Sequence, residues 1–254
     1  MSPTKNSGSV IPLRRRQLAK PRSADSLLNV LGAPTEEALY QLHEVVGKFE
    51  RALPPPNRFR AIIFGSSRVK PGSAEYEETR AFARALSERG IDIVTGGGPG
   101  IMEAASKGAM EGRQRNPRVW SWGICIESVY DRFEPPNDFL SRAYRHRNFF
   151  TRLHQFARLG ASGVFVVMPG GIGTLLEIAM IWQLLQVKHL KGCRLIIADP
   201  MWHAIIETFK EHAIARGYMR AEEAEHLTLV SSVKEALPLV IDDFKNFKKK
   251  RAAG

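Results

Sequence analysis

A glycine turn at residues 169–177 has the residue types needed to hold an anion beside a carboxylate. Its sequence, PGGIGTLLE, joins the apolar run Val164–Met168 to residues with helical apolar spacing. In a strand, turn and helix of this kind, the first-turn N–H groups lack intrahelical partners and attract anions. We therefore expect a phosphate here, with Glu177 one helical turn further on the same face. The predicted phosphate contacts are Gly170, Gly171, Ile172, Gly173 and Thr174.

Two more polar turns follow apolar runs earlier in the chain. Gly65-Ser66-Ser67 follows the run Phe59–Phe64, and a second glycine block, GGGPGIME, begins at Gly96 after the run Ile91–Val94. Open α/β sheets bind ligands at the carboxyl ends of their strands, so these turns are candidate ligand contacts. The alternative is structural, because serines at such places commonly cap the next helix.

The order of elements defines the expected fold class. Further apolar runs at residues 122–126 and 193–198 alternate with helical patterns at residues 76–89, 101–110 and 201–215. Strands that alternate with helices imply an α/β protein, a three-layer Rossmann-like fold with a parallel β-sheet flanked by helices. The GxGxxG dinucleotide fingerprint is incomplete in the GGGPGIME block, which argues against NAD.

The basic charge of the chain lies at its two ends. The formal net charge is +11, but residues 1–24 carry six cations without an acid and residues 245–254 carry five. Residues 25–244 are therefore formally neutral. We expect 1–24 and 245–254 to be disordered basic tails around a single Rossmann-like nucleotide-binding domain at 25–244, which includes a helix near 38–53. Nucleic acid is not the expected partner.

Several other classes of protein are disfavoured. Cys125 and Cys193 have neither CxxC spacing nor a neighbouring histidine cluster, so we expect no disulfide framework and no metal site. Residues 159–176 are uncharged, but Pro169-Gly170-Gly171 interrupts them, which argues against a membrane span. No apolar secretory segment is present among residues 1–26. We expect a cytoplasmic protein, although the Arg-rich, acid-free start would also suit an organelle transit peptide.

The two glycine blocks together resemble those of the Lonely Guy family, which older annotation calls lysine decarboxylase-like. Its members cleave the N-glycosidic bond of nucleoside 5′-monophosphates. The resemblance rests on PGGxGTxxE at Pro169–Glu177 and on GGGPGIMEAA from Gly96. It implies a hydrolase that releases free base and ribose 5-phosphate, needs no cofactor, and forms a homodimer or higher homo-oligomer. The second block is closer to longer bacterial members that act on ordinary nucleotides, so we expect an AMP-like substrate as well as, or in place of, cytokinin riboside monophosphates.

The resemblance also implies roles for individual residues. Phe149-Phe150-Thr151-Arg152 is similar to a family segment that supplies a catalytic arginine, which makes Arg152 the candidate and Arg147 the fallback. Glu177 would be the catalytic carboxylate. The expected substrate contacts outside the phosphate turn are Gly65, Ser66, Ser67, Gly97, Gly98, Met102 and Arg147.

Two alternatives remain open on the residues alone. Glu177 could be an ordinary first-turn acid that complements the helix dipole. The whole protein could bind a nucleotide or phosphorylated cofactor without turnover, as proteins that resemble molybdenum-cofactor carriers do. A lysine decarboxylase would need a Schiff-base lysine in a cofactor pocket, and no motif indicates one.

Overall fold

Seven strands form one parallel sheet in the described part of the chain. The computed structural model describes residues 58–127, 135–147 and 149–252, all within the compact unit Pro55–Gly254. The strands are β1 (Arg60–Phe64), β2 (Asp92–Thr95), β3 (Ser121–Ile126), β4 (Arg142–His146), β5 (Val164–Val167), β6 (Arg194–Ile197) and β7 (Leu227–Leu229). Except for the polar β4, the strands consist largely of apolar residues, which suits a sheet that is covered on both faces.

The strand order contains one reversal of direction. Across the sheet it runs β4-β3-β2-β1-β5-β6-β7. The chain moves outward from β1 through β2 and β3 to β4, and then returns to the other side of β1, where β5 pairs with it in parallel. The carboxyl ends of β1 and β5 therefore flank a topological switch point, which is where ligands bind in open α/β sheets.

Helices cover both faces of the sheet. They are α1 (Ala74–Glu88), α2 (Ile101–Arg113), α3 (Phe149–Gly160), α4 (Ile172–Gln186), α5 (Met201–Ala215), α6 (Ala221–Ala224) and α7 (Val233–Ala252). Because side chains alternate along a strand, Ile63 of β1 joins one core with α1, α2 and α7, while Ile62 joins the other with α3, α4 and α5. This arrangement confirms the predicted three-layer Rossmann-like fold.

The structure corrects the sequence expectations at two places. Residues 142–146, which contain no apolar run and were not among the expected strands, form the edge strand β4. Residues 245–252, expected to belong to a disordered tail, continue α7 to Ala252. The helix continues because Phe244 and Phe247 pack their rings against Phe59, with centroids 5.3 and 5.6 Å away.

Other expectations fall beyond the described residues. The predicted basic tail at 1–24 and the predicted helix near 38–53 lie outside them. None of the helices in the described ranges is both long and apolar enough to cross a membrane.

Candidate functional site

Backbone hydrogen bonds join the three predicted turns at the switch point. The Ser66 N–H donates to the Pro169 carbonyl at 2.9 Å, which ties the turn after β1 to the turn after β5. The Ser66 carbonyl accepts from the Ile101 N–H at 3.0 Å, which ties the same turn to the start of α2. Ser66 therefore bridges two helix amino termini through its main chain alone.

A cleft of about 940 Å³ opens beside these turns. This volume is within the range of small-molecule sites. Most of the predicted site residues line it. They are Gly65, Ser66, Ser67, Met102, Arg152, Gly170, Gly171, Ile172, Gly173, Thr174 and Glu177.

The amino terminus of α4 presents backbone donors to this cleft. Gly171 is the N-cap residue and has no side chain to accept from the first-turn N–H groups. Ile172, the first helical residue, is 82% exposed, and a Cβ at Gly173 would meet no atom within 4 Å. A Cβ at Gly170 would instead collide with the Thr174 side chain. The turn is therefore open toward the cleft and tightly packed beneath it.

Glu177 lies one helical turn beyond these donors, and its pKa is raised. Loss of hydration raises the pKa of Glu177 to about 7, and the positive charge of Arg152 opposes that rise. A carboxyl with a pKa near neutrality can be charged or neutral at working pH. Perturbed pKa values of this kind cluster at functional sites, which makes Glu177 a candidate site residue.

The Arg152 guanidinium is held by neighbours on several sides. Its Nε donates to the carbonyl of Ile124, within β3, at 2.8 Å. Its Cζ lies 5.4 Å from the Phe156 ring centroid, and a Cβ at Gly96 would collide with its Nη2. The first glycine of the GGGPGIME block thus leaves room for Arg152. A rigidly placed guanidinium is pre-organised to orient an anion.

The electrostatic coupling of these two groups can be tested. Because Arg152 lowers the Glu177 pKa, Arg152→Ala is expected to raise it above the present value of about 7. Carboxyl-carbon NMR titration would measure the shift, with the Glu177 signal assigned by its loss in Glu177→Gln. Arg152→Lys keeps the charge and should shift the pKa less. An unchanged pKa in Arg152→Ala would contradict the coupling.

Glu177 is also expected to make folding stability depend on pH. Its pKa is raised from 4.5 to about 7 in the folded state, so the folded protein binds more protons than the unfolded chain between these values. Its contribution to stability therefore falls as pH rises through that window. Glu177→Gln removes the ionisable group and therefore this loss of stability at high pH. The melting temperature of the variant should exceed that of the parent by more at pH 8 than at pH 5. Equal gains at both values would contradict it.

Three predicted substrate contacts lie outside the cleft. Gly97, at φ 79°, packs against Cys125, and the Asn137 side-chain amide donates to the Gly97 and Gly98 carbonyls at 3.0 and 2.9 Å. Arg147 is 88% exposed, and its Nε lies 3.8 Å from a Glu127 carboxylate oxygen. The structure therefore places Arg152, and not Arg147, at the cleft.

The cleft also includes residues that were not predicted as contacts. Arg68 and Val69 follow the Gly-Ser-Ser turn. Phe149 and Ile126 are apolar residues that line the cleft together with Met102. Arg68 directly follows a predicted contact, and Phe149 begins the segment that carries Arg152. Arg68 and Phe149 could therefore have been predicted as cleft residues from their positions in the sequence next to other predicted site residues.

The fold and cleft define a Rossmann-like protein with a candidate ligand site at its switch point. Residues 102–240 match the family model described as Possible lysine decarboxylase, and residues 58–115 match the SLOG cluster4 family. The chain belongs to the first of these families, because that match covers more than half of its length. This membership confirms the resemblance that the two glycine blocks predicted.

Curated relatives include nucleotide-cleaving enzymes. The chain is 30% identical over 177 residues to the pyrimidine/purine nucleotide 5′-monophosphate nucleosidase of Escherichia coli (strain K12), covering 65% of this chain and 38% of that protein. It therefore spans less than two fifths of that relative. It is 27% identical over 192 residues to the cytokinin riboside 5′-monophosphate phosphoribohydrolase LOG of Oryza sativa subsp. japonica, covering 74% of this chain and 75% of that one.

A solved structure supports the fold. The crystal structure of the protein TM1055 matches 72% of this chain and 99% of its own, with a TM-score of 0.53 and 21% sequence identity. At this identity the similarity concerns the fold alone.

Proposed function

We propose that this chain hydrolyses the N-glycosidic bond of nucleoside 5′-monophosphates to free base and ribose 5-phosphate. The substrates are AMP-like nucleotides or cytokinin riboside monophosphates. The observation that carries the proposal is the placement of Glu177 and Arg152 in one cleft with the open glycine turn of α4. Glu177 lies one helical turn beyond that glycine turn. The names of the two curated relatives support the same class of substrate.

The geometry suggests how the bond would be broken. The phosphate binds the first-turn N–H groups of α4, which places the ribose toward Glu177. The bond between the anomeric carbon and the base nitrogen breaks, its electron pair leaves with the base, and a water oxygen bonds to the carbon. Ionised Glu177 stabilises the oxocarbenium-like centre or orients the water. The water loses one proton to solvent as its oxygen bonds to the carbon, and the departing base takes up one proton from solvent, which gives the neutral free base. Arg152 orients the phosphate or substrate and balances the Glu177 charge.

The test is product formation from a small set of nucleotides. The protein is incubated with AMP, GMP, CMP and isopentenyladenosine monophosphate, and free base and ribose 5-phosphate are quantified. Product from at least one of them supports the proposal. Tight binding of a nucleotide with no product would favour the carrier alternative instead. A Schiff-base decarboxylase is disfavoured because no lysine occurs among the described residues that line the cleft.

We further infer a homodimer or higher homo-oligomer, formed through the outer surface of α4 and α5. Leu176, Ile205 and Phe209 are 48%, 48% and 56% exposed there. Exposed apolar clusters of this kind mark interaction sites. The apolar spacing of α4 would also allow a contact through Ile178, Ile181 and Leu185, but the structure rules this out because all three are buried in the core. Leu42, Val45 and Val46 of the predicted helix near 38–53 are further apolar candidates for the contact, and they lie outside the described residues.

Phe209→Asp is expected to convert the oligomer to monomer, because a carboxylate would be desolvated at the contact. Light scattering coupled to size-exclusion chromatography measures the mass. Glu211→Lys, on the same helix, changes an exposed charge without removing an apolar side chain, and should leave the mass unchanged. A monomeric parent protein would refute the oligomer.

A further inference from the structure

A second, strongly basic cleft lies at the opposite edge of the sheet, where β1, β2 and β3 begin. Its volume is about 530 Å³. Arg89 precedes β2, Arg118 precedes β3, and Lys248 belongs to the last turns of α7, and all three line it. We propose that this cleft binds a chain of closely spaced phosphate groups. The proposal does not depend on the nucleotide hydrolysis proposed above.

The charges at this cleft are unbalanced. Arg58 also lines it, but Arg58 is neutralised by Asp92, whose two carboxylate oxygens each lie 2.6 Å from an Arg58 nitrogen. Asp92 is 1% exposed and also accepts from the Trp120 N–H, so it has little capacity left to pair with other cations. Among the described residues that line the cleft none is acidic. Arg89, Arg118 and Lys248 therefore add their positive charges without a lining carboxylate.

The three cations present free donors to solvent. Arg118 and Lys248 are exposed, and exposed Arg89 donates one Nη1 hydrogen to the Ala85 carbonyl while other guanidinium N–H groups remain. Guanidinium groups bind phosphate through parallel hydrogen bonds, and an ammonium binds it as a point charge. Cations near helix carboxyl ends commonly complement the dipole, which accounts for Arg89 and Lys248. Arg118 lies on the segment that leads into β3, and the dipole does not account for it.

The floor of the cleft is apolar. Phe59, Phe244 and Phe247 pack their rings together there, and the Lys248 ammonium lies 4.2 Å from the Phe244 ring centroid. Apolar groups beneath the cations reduce solvent screening, so an anion held above them interacts more strongly than at an open surface. The volume exceeds that of one phosphate, and several cations surround it. The site therefore suits consecutive phosphates better than a single one.

The probe is inorganic tripolyphosphate, titrated calorimetrically at about 0.15 M salt so that weak surface attraction is screened. We expect a dissociation constant on the order of 10 μM for tripolyphosphate and at least tenfold weaker binding of orthophosphate. The double variant Arg118→Gln/Lys248→Gln should weaken tripolyphosphate binding at least tenfold. The control pair Lys249→Gln/Lys250→Gln removes two charges from α7 outside the cleft lining and should change binding less than about twofold.

Melting temperatures of both double variants establish that each is folded. Failure of the parent to bind tripolyphosphate, or equal weakening by both variants, overturns the proposal. Binding that survives Arg118→Gln/Lys248→Gln and is lost in Gly173→Asp would place the phosphates at the α4 turn and overturn it as well. A single-stranded RNA 12-mer, displaced by tripolyphosphate, would identify nucleic acid as the source of the phosphates. Absence of RNA binding would identify a small molecule.

Discussion

Glu177→Gln is expected to lower kcat for nucleoside monophosphate hydrolysis about 10²-fold or more while leaving KM nearly unchanged. The substitution keeps the shape of the side chain and removes the charge that would stabilise the oxocarbenium-like centre. Steady-state kinetics with the best nucleotide substrate measure it. Glu211→Gln, an exposed change on α5, is the matched control and should behave as the parent. Unchanged turnover in Glu177→Gln would remove Glu177 from the mechanism.

The same variant has a signature in the pH profile. In the proposed mechanism the ionised carboxylate is the active form, and the Glu177 pKa is about 7, so kcat/KM of the parent should rise with pH through neutrality. That rise should be absent in Glu177→Gln. A rate that instead falls above pH 7 would mean that Glu177 acts as a protonated acid.

Gly173→Ala is expected to raise KM about tenfold without destabilising the protein. A Cβ at this position meets no atom within 4 Å beyond its chain neighbours and the helix's own backbone, and alanine is more favourable than glycine in a helix by about 1 kcal/mol, so the melting temperature should hold or rise. The added methyl group stands where a phosphate would approach the backbone donors, and loss of one charge-assisted hydrogen bond costs about 1.5 kcal/mol or more. Kinetics and thermal melting together measure the two effects.

The control for Gly173→Ala is a ligand without the phosphate. Binding of the free nucleoside, measured by calorimetry, should be the same in parent and variant because it makes no contact with the turn. An unchanged KM for the nucleotide would show that the phosphate binds elsewhere. A lower melting temperature would show that Gly173 is needed for folding.

Much of the fold follows from local patterns in the sequence. The strands at Phe59–Phe64 and Val164–Met168 could be predicted because strands buried on both faces need mostly apolar side chains, and Arg60 is the one charged residue in these two segments. Their polar turns could be placed together because parallel strands end at one edge of the sheet. That reasoning brought Ser66 and the glycine turn of α4 into one cleft, where the structure has them.

The features that the sequence did not predict depend on contacts between residues that are far apart along the chain. β4 is polar because it is an exposed edge strand, so its sequence carries no apolar run. The end of α7 is rich in lysine, and only the packing of Phe244 and Phe247 on Phe59 accounts for its order. The inward position of Gly97 likewise depends on Cys125 and Asn137, which lie 28 and 40 residues further along the chain.

At Ser66, joining the turns and contacting a ligand are separate functions, because the main chain alone joins the turns. Its hydrogen bonds to Pro169 and Ile101 use no side-chain atoms, so other residues at position 66 can preserve the junction while altering what a ligand meets. Position 100 does not tolerate other residues in this way, since Gly100 adopts φ 69° and a Cβ there would collide with the Ser66 and Ser67 backbone. Divergence of ligand preference among related proteins should therefore accumulate at position 66 and spare position 100.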